Sequence, residues 1–286
     1  MSTFRHLQKL VKAEAAAVLV NLRGVSASQA QFVLDVSRRQ SGAVLKDVTL
    51  SVHSQFEEDG ILLVLFALLG MTNRQCIELC CGDGIESNSA NLILNHGWNG
   101  ILCDGDPANV GAARRFFRRC RTTKVWPPTI AHSWLTAENV NSVLEAHGAH
   151  PEPDLLSIDV DGNDYWLWKA IDVISPRVVV IEINHLWGDD RAVTVPYDPR
   201  FQAEFTAHGS DYGGASLPAM IKLGREKGYR LVAVNRVATN AFFVRNELGT
   251  GSLPEIEAAG CFDHPRARFG RTHRLPRVAD RTWVDV

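Results

Sequence analysis

The run IELCCGDGIESNSANLIL carries residue types and spacings that could bind a nucleoside-bearing cofactor. It predicts a buried strand, a tight turn through Cys80, Gly82 and Gly84, and then a helix. Glycine has no Cβ, so a ligand can approach the backbone closely, and the following helix N-terminus favours an electron-rich group. An acid lies about 20 residues further on, at the end of the next strand, where a carboxylate would hold ribose hydroxyls. Asp104 and Asp106, in GILCDGDP, are the candidates.

The charges of this turn favour a cationic cofactor over a dinucleotide. A dinucleotide fingerprint needs three glycines around a pyrophosphate, and this chain has Cys80, Gly82 and Asn88 near those places. Glu78 and Asp83 would repel a pyrophosphate but suit the sulfonium and ammonium groups of S-adenosylmethionine (SAM). At these residues the chain resembles the class I SAM-dependent methyltransferases, whose first motif is an acid followed by x-Gly-x-Gly-x-Gly. It departs from them at Cys80, where the first glycine is usual.

A second group of polar residues follows two later strands, in the strings SIDVDGND and IEINHLWGDD. We expect Asp159, Asp161, Glu182 and Asn184 near the carboxyl ends of neighbouring strands, where ligands bind in an open α/β sheet. Period-two alternation places Asp159 with Asp161, and Glu182 with Asn184, on one face. Such hard oxygen ligands suit Mg²⁺ or another divalent cation. The alternative is that some of these polar groups cap helices or bond turn amides, for which Asn163 and Asp164 are well placed.

Strand and helix patterns alternate along most of the chain. They predict an α/β, Rossmann-like, doubly wound and mostly parallel seven-stranded sheet with an antiparallel edge hairpin. The hairpin comes from YRLVAVN and NAFFVRN, and it would make one edge strand antiparallel. Extra amphipathic helices are predicted over 3–20 and 28–39. Helix caps are expected at Ser54 with Glu57, at Thr136 and at Ser216.

Within the methyltransferases, the chain is similar to the FkbM-like group over roughly residues 50–248. The similarity lies in SQFEEDGI, GWNGILCDGDP, DLLSIDVDGNDYWLWKAI and the segment GGASLPAMIKLGREKGYRLVAVNRVATNAFFVRNEL. The acids after the fourth and fifth strands look like the metal sites of catechol-type and macrolide-sugar O-methyltransferases, in which the ion holds the acceptor hydroxyls. The resemblance implies O-methylation of a small natural-product or sugar-like hydroxyl.

The resemblance also implies roles for individual residues. Cofactor binding would fall to Gln55, Glu78, Cys80, Gly82, Gly84, Asp104, Asp106, Ser133, Trp134 and Asp159. Ser133 and Trp134 would flank adenine, although Trp134 could instead be a core aromatic. Gln55, together with Glu58 and Asp59, would belong to a segment that closes over the cofactor. Asp159 would lie beneath the transferred methyl group, and His185 is the candidate general base, with a structural or substrate-facing role as the alternative.

The long stretch 187–215 has little periodicity, and loops of this length are usually functional. We interpret it as a lid over the acceptor site, with Trp187, Tyr197 and Tyr212, next to His185, as substrate-binding residues. A dimer contact is the alternative.

The predicted organisation is a helical extension over 1–50, a SAM-binding domain over 51–250 and an Arg-rich tail over 251–286. The tail could bind a phosphorylated acceptor, an acidic carrier protein or another subunit, or simply pack on the domain.

Composition excludes several classes of function. Thirty basic residues against 32 acidic ones give a net charge of −2, which argues against nucleic acid as a necessary partner. The longest apolar run, ILLVLFALL, is too short to span a bilayer, and no signal peptide is evident, so we expect a cytoplasmic protein without a membrane partner. A small-molecule acceptor and a homodimer are expected. The rival functions are N- or C-methylation, a nucleotide-dependent oxidoreductase, and a non-catalytic protein that keeps the fold.

Overall fold

The candidate site lies along one edge of a single mixed sheet. A computed structural model describes Leu45, residues 48–206 and residues 209–286, and the helices predicted over 3–20 and 28–39 lie outside these residues. In this part of the chain seven strands form the main sheet: β1 (Gln75–Leu79), β2 (Asn99–Asp104), β3 (Thr129–His132), β4 (Leu155–Ile158), β5 (Val178–Glu182), β9 (Tyr229–Val234) and β10 (Asn240–Arg245). Their order across the sheet is β3-β2-β1-β4-β5-β10-β9.

Helices connect these strands, and four short strands lie in the later part of the described chain. The α-helices are α1 (Glu58–Leu69), α2 (Ala90–His96), α3 (Pro107–Arg119), α4 (Val140–Ala146), α5 (Asp164–Ala170), α6 (Leu217–Glu226) and α7 (Pro265–Phe269). The short strands are β6 (Val193–Thr194), β7 (Phe205–Thr206), β8 (Gly209–Ser210) and β11 (Val284–Asp285).

Side chains alternate along the main strands and build a hydrophobic core on each face of the sheet. In β1, Cys76 belongs to the core under α1, α2 and α3, whereas Ile77 and Leu79 belong to the core under α4, α5 and α6. Helix α1 is apolar on nearly all of its faces. Its outer side is covered by the chain around Val48 and Leu50, which packs closely on Gly60. The doubly wound, mostly parallel sheet predicted from the sequence is therefore confirmed.

The hairpin at one side of the sheet is also confirmed, with one difference. Strand β10 pairs antiparallel with both β5 and β9, so the reversed strand is the inner one and β9 forms the edge. After β5 the chain first forms the edge strand β9 and then returns as β10, which lies between β5 and β9. The sequence indicated a hairpin but not which of its strands joins β5, because both are equally apolar.

Two of the three predicted helix caps are wrong. Helix α1 begins at Glu58 without a side-chain cap, and Ser54 Oγ instead accepts from Asp59 N, five residues along. Thr136 precedes a turn, and α4 begins after Asn139. At Ser216 the prediction is confirmed: its Oγ accepts from Ala219 N at the start of α6.

The tail from residue 251 packs on the insert from 187 to 215. Strand β11 pairs antiparallel with β6, joining Val284 to Thr194 and Asp285 to Val193. A 3₁₀ helix at His185–Trp187 contacts the π-helical turn Gly270–Arg274 of the tail. Insert and tail thus form one layer over the carboxyl edge of the sheet. Across the part of the chain that the structure describes, no helix is both long and apolar enough to cross a bilayer.

Candidate active site

A cavity of about 430 Å³ opens at the carboxyl ends of β1, β2, β4 and β5. Its size suits a small-molecule ligand. Its lining includes Gln55, Cys80, Gly82, Asp104, Asn109, Asp159, Asp161, Glu182, Asn184, His185, Phe205, Arg266 and Arg274. A smaller cavity of about 70 Å³ shares Cys80 and Asp104 with it and continues towards Ser133 and Trp134. The structure therefore brings together, around one space, acids that the sequence places on three strands.

The turn after β1 depends on left-handed backbone at its first residue. Cys80 has φ of 68° and Gly82 φ of 56°. A non-glycine residue in this conformation costs roughly 1–2 kcal/mol, so Cys80 is held in a strained turn that a glycine would adopt more easily. The amides of Cys80 and Cys81 both donate to Cys103 O, at 2.8 and 2.9 Å, and hold the turn in place. The turn therefore keeps a glycine-like path despite the cysteine.

Glu78 and Gly84 do not line the cavity, contrary to the predicted cofactor roles. The Glu78 carboxylate is buried and accepts hydrogen bonds from Ser87 Oγ, Asn88 N and Ser89 N and Oγ. It closes the loop that leads into α2. At Gly84 an added Cβ would lie 2.8 Å from Phe117 Cε2, so this glycine is needed for packing against α3.

Asp104, the last residue of β2, faces the cavity and orders its floor. Its Oδ2 accepts from Gly82 N at 2.8 Å, and its Oδ1 accepts from Asp106 N at 2.8 Å and from Asn109 Nδ2. Asp106, by contrast, is exposed and caps α3 by accepting from Ala108 N. Of the two acids, the structure therefore places Asp104 in the cavity lining and gives Asp106 a capping role in place of the predicted cofactor role.

Ser133 and Trp134 line the small cavity, where the sequence prediction placed the adenine. Trp134 is 48% exposed, so it is not a core aromatic. Its ring lies against Gly105, where an added Cβ would be 2.8 Å from Trp134 Cε3, and its Nε1 donates to Pro199 O. The insert thus holds the indole beside the cavity, and Phe201 of the same insert completes the wall.

The segment before α1 reaches the cavity through Gln55. This side chain is exposed and lines the cavity. Asp59 fixes the segment by accepting from the amides of Val52, His53 and Ser54, and Glu58 accepts from Phe56 N and from the amides of two asparagines, Asn235 and Asn240. Glu58 and Asp59 therefore anchor the loop that presents Gln55.

Three carboxylates meet at the ends of β4 and β5. Oxygens of Asp159, Asp161 and Glu182 all lie within 4.8 Å of one another. Burial, and then the charges of the neighbouring carboxylates, raise the pKa of Asp159 and of Glu182 well above their usual values. Burial and Asp104 raise the pKa of Asp161. Asp161 also has left-handed backbone, with φ of 55°, which turns its side chain into the cluster.

This cluster fits a divalent cation by its donor set. Carboxylates held this close repel one another and bind protons in compensation, and a hard divalent cation would replace those protons. Asn184 has other partners, because its Oδ1 accepts from Leu186 N and its Nδ2 donates to Asp211 O and Gly213 O. It caps the 3₁₀ helix, so we remove it from the predicted ligand set. For Asp164 the alternative of bonding turn amides is confirmed, since its carboxylate accepts from Val160 N and Gly162 N. Asn163 precedes α5 without a side-chain cap, and its Nδ2 donates to Asp198 O.

His185 lies in the cavity wall with a neutral imidazole. It is buried, and burial together with the charges of Arg274 and Arg266 lowers its pKa to about 4. Within the described part of the chain its Nε2 has no hydrogen-bond partner. The imidazole is therefore uncharged at neutral pH and is a weak proton acceptor.

The three aromatic residues predicted to bind substrate do not line the cavity. Trp187 is buried and packs edge-on against Trp283 of the tail. Tyr197 donates to Glu138 Oε2, and Tyr212 donates to Thr282 O and lies under the Arg281 guanidinium. They fasten the insert to the domain and to the tail. The cavity instead receives Phe205 from the insert, an exposed side chain.

Among the cavity residues that sequence reasoning missed are the two that the tail supplies, Arg266 and Arg274. The arginine-rich tail was noted, but no local pattern indicated which of its arginines would face the acids. Contact of the tail with the 3₁₀ helix His185–Trp187 brings these two into the wall.

The chain matches no protein-family model and no curated protein. Among the solved structures that resemble it is an O-methyltransferase from Bacillus cereus in complex with SAH, at 15% identity, with 82% of this chain and 97% of that chain covered and a TM-score of 0.42. A SAM-dependent methyltransferase from Clostridium acetobutylicum is 13% identical over 64% of this chain and 89% of that chain, with a TM-score of 0.40. The N-terminal domain of EvdMO1 with SAH bound is 11% identical over 67% and 80%, with a TM-score of 0.45. These likenesses are too weak to carry an argument about function.

Proposed function

We propose that the protein is a SAM-dependent methyltransferase that methylates a hydroxyl group of a small molecule with the help of a divalent cation. The observation that carries this proposal is the joint lining of one cavity by the Cys80–Gly82 turn, Asp104 and three clustered carboxylates. The first two would hold the ribose and methionine parts of the cofactor. Ser133 and Trp134 would flank its adenine in the adjoining small cavity.

The residues divide the chemistry between the two ends of the cavity. When bound, SAM supplies a methyl group whose C–S bond breaks, with its electron pair passing to sulfur, as the new C–O bond forms. In this proposal Asp159, at the end of β4, lies beneath the transferred methyl group. His185 takes the proton of the acceptor hydroxyl. The protein's main contribution is to align donor, methyl carbon and acceptor.

Asp159, Asp161 and Glu182 would hold the cation. When bound, a divalent cation lowers the pKa of an acceptor hydroxyl and fixes a pair of neighbouring oxygens. His185, with its pKa lowered to about 4, is a weak base, so such help with deprotonation would matter for the rate. A metal requirement would favour oxygen over nitrogen or carbon as the acceptor atom.

Calorimetric titration with SAM and with S-adenosylhomocysteine (SAH), in Mg²⁺ and after EDTA, tests the proposal. We expect micromolar binding of both ligands. Absence of binding to either under every condition would contradict the proposal and favour a non-catalytic protein, with NAD as the next ligand to try.

A further inference from the structure

The tail approaches the acceptor end of the cavity at very short range. At Gly270, an added Cβ would lie 2.8 Å from Leu186 Cδ2 and 2.9 Å from His185 Nε2. This contact seats the tail against the 3₁₀ helix that carries His185. Arg266 and Arg274, on either side of Gly270, enter the same cavity wall.

The two arginines differ in how their charges are balanced. Arg274 is buried and forms an ion pair with the buried Asp211, to which its Nε donates at 2.6 Å. Arg266 is exposed, and its guanidinium lies 5.2 Å from the centre of the Phe56 ring. In the ranges that the structure describes, the Arg266 side chain makes no hydrogen bond or ion pair. The wall formed by the tail therefore carries a net positive charge.

Both arginines line the same cavity, and in the described part of the chain only Arg274 has an ion-pair partner there. Burial, and then the charge of Arg274, lower the pKa of Arg266, while Glu182 opposes that change. Asp211 balances the charge of Arg274, so an anion in this part of the cavity would be attracted mainly by the guanidinium of Arg266. Guanidinium groups match the planar, bidentate geometry of carboxylate and phosphate oxygens. Phe56 limits where the Arg266 head can lie, so less freedom would be lost on binding.

We propose that Arg266 and Arg274 form an anion subsite that selects a methyl acceptor with a carboxylate or phosphate close to the methylated hydroxyl. This inference rests on the proposed function and specifies the class of methyl acceptor. The anionic group would lie against the tail, and the hydroxyl would reach the carboxylate cluster at the ends of β4 and β5. The simplest competing explanation is that Arg266 only offsets the charge of Glu182, and it predicts no preference for anions.

Three small probes that share a vicinal diol test the subsite: glycerate, glycerol 3-phosphate and glycerol. Their dissociation constants would be measured by ligand-observed NMR on the full chain with SAH and Mg²⁺. We expect at least one of the two anions to bind about tenfold or more tightly than glycerol, and the better of the two identifies carboxylate or phosphate as the preferred group. Arg266→Gln should abolish this preference, whereas Arg266→Lys should keep part of it.

Arg268→Gln is the matched control. Arg268 lies on the same helix, is exposed and does not line the cavity, so this variant should bind all three probes as the wild type does. Equal binding of anions and glycerol by the wild type would overturn the inference. So would an Arg266→Gln variant that keeps the preference for anions.

Calorimetry with SAH in each variant separates the two levels of the argument. Absent SAH binding in the wild type contradicts the proposed function itself. Normal SAH binding together with equal affinity for the three probes contradicts only the anion subsite.

Discussion

At the scale of single residues, partners decide which acids serve the cavity. Glu78 looks like a cofactor ligand in the sequence, but three consecutive residues, Ser87 to Ser89, supply all its hydrogen bonds. Asp104 has the same chemistry but lines the cavity, although Gly82 N and Asp106 N each donate to one of its carboxylate oxygens. A carboxylate near a glycine turn can therefore support the turn or bind the ligand, and its environment determines which.

Asp104→Asn should weaken SAM binding by about tenfold or more. The amide cannot replace the charge towards ribose hydroxyls, and hydrogen bonds to a charged group contribute about 1.5–3 kcal/mol. Calorimetric titration with SAH measures the change. Asp106→Asn is the control, because asparagine caps helices about as well as aspartate and the side chain is exposed outside the cavity. Unchanged affinity in Asp104→Asn, with the fold intact, would remove Asp104 from the cofactor site.

At the scale of elements, the insert 187–215 is a layer fastened at several points. Ser216 Oγ donates to Arg191 O and accepts from Val193 N, so the end of the insert is tied to its beginning. Phe201 packs over Gly162 in the loop after β4. This packing couples the insert to the loop that carries Asp161. The lid role predicted for the insert stays a prediction, and the observed contacts show which side chains would have to move.

Gly162→Ala should disturb that contact. The added Cβ would lie 2.2 Å from Phe201 Cε1, so either the ring or the loop must shift. Overpacking of this kind typically costs about 1–3 kcal/mol, and we expect a loss of stability in that range with weaker SAH binding. Chemical denaturation and calorimetry measure the two effects. Gly251→Ala, with nothing within 4 Å of the added Cβ, should change neither. Equal behaviour of the two variants would show that Phe201 does not fix the loop.

At the scale of the whole molecule, charge is concentrated where the layers meet. The acids come from the carboxyl edge of the sheet, and the arginines come from the tail that covers it. The core on each face of the sheet is hydrophobic, and the charged groups buried beside it have partners of their own, such as Glu78 with Ser87 and Asp154 with Arg177 at the amino ends of β4 and β5. The electrostatic cost of the site is therefore borne by a fold stabilised by hydrophobic burial elsewhere.

Stability should depend on pH through Glu182 and Asp159. Their pKa values are raised in the folded protein, so between the unfolded and folded values the folded state binds more protons than the unfolded state. Stability from this pair should therefore fall as pH rises from about 4.5 through the raised values. His185 and His96, with pKa values lowered to about 4, act in the opposite direction between pH 4 and 6.5.

Comparison of wild type with Glu182→Gln isolates the acid term. The difference in free energy of unfolding between wild type and variant, from denaturation in EDTA, should decrease with rising pH by an amount on the order of 1 kcal/mol per pKa unit. At pH 8, Mg²⁺ should raise the free energy of unfolding of the wild type and leave that of the variant unchanged. A difference that stays flat with pH, or equal stabilisation of both proteins by Mg²⁺, would contradict the cation site.

The sequence by itself determined the alternating elements, the doubly wound sheet, the terminal hairpin and the acids at the strand ends. These follow from local periodicity and from the rule that strand ends gather on one edge of a parallel sheet. Cys80, Gly82, Asp104, Asp159, Asp161, Glu182 and His185 could be placed near one cavity on that basis. The tight turn predicted after the first strand is also present, with left-handed backbone at Cys80 and Gly82.

Only the tertiary structure decided which polar groups remain directed into the cavity. Asn184 and Asp106 are engaged by nearby backbone amides, and Trp187 and Tyr212 are covered by the tail. Arg266 entered the site from a helix far along the chain. Such contacts join segments that are distant in sequence, and they depend on packing between layers, which leaves no periodic signal in either segment.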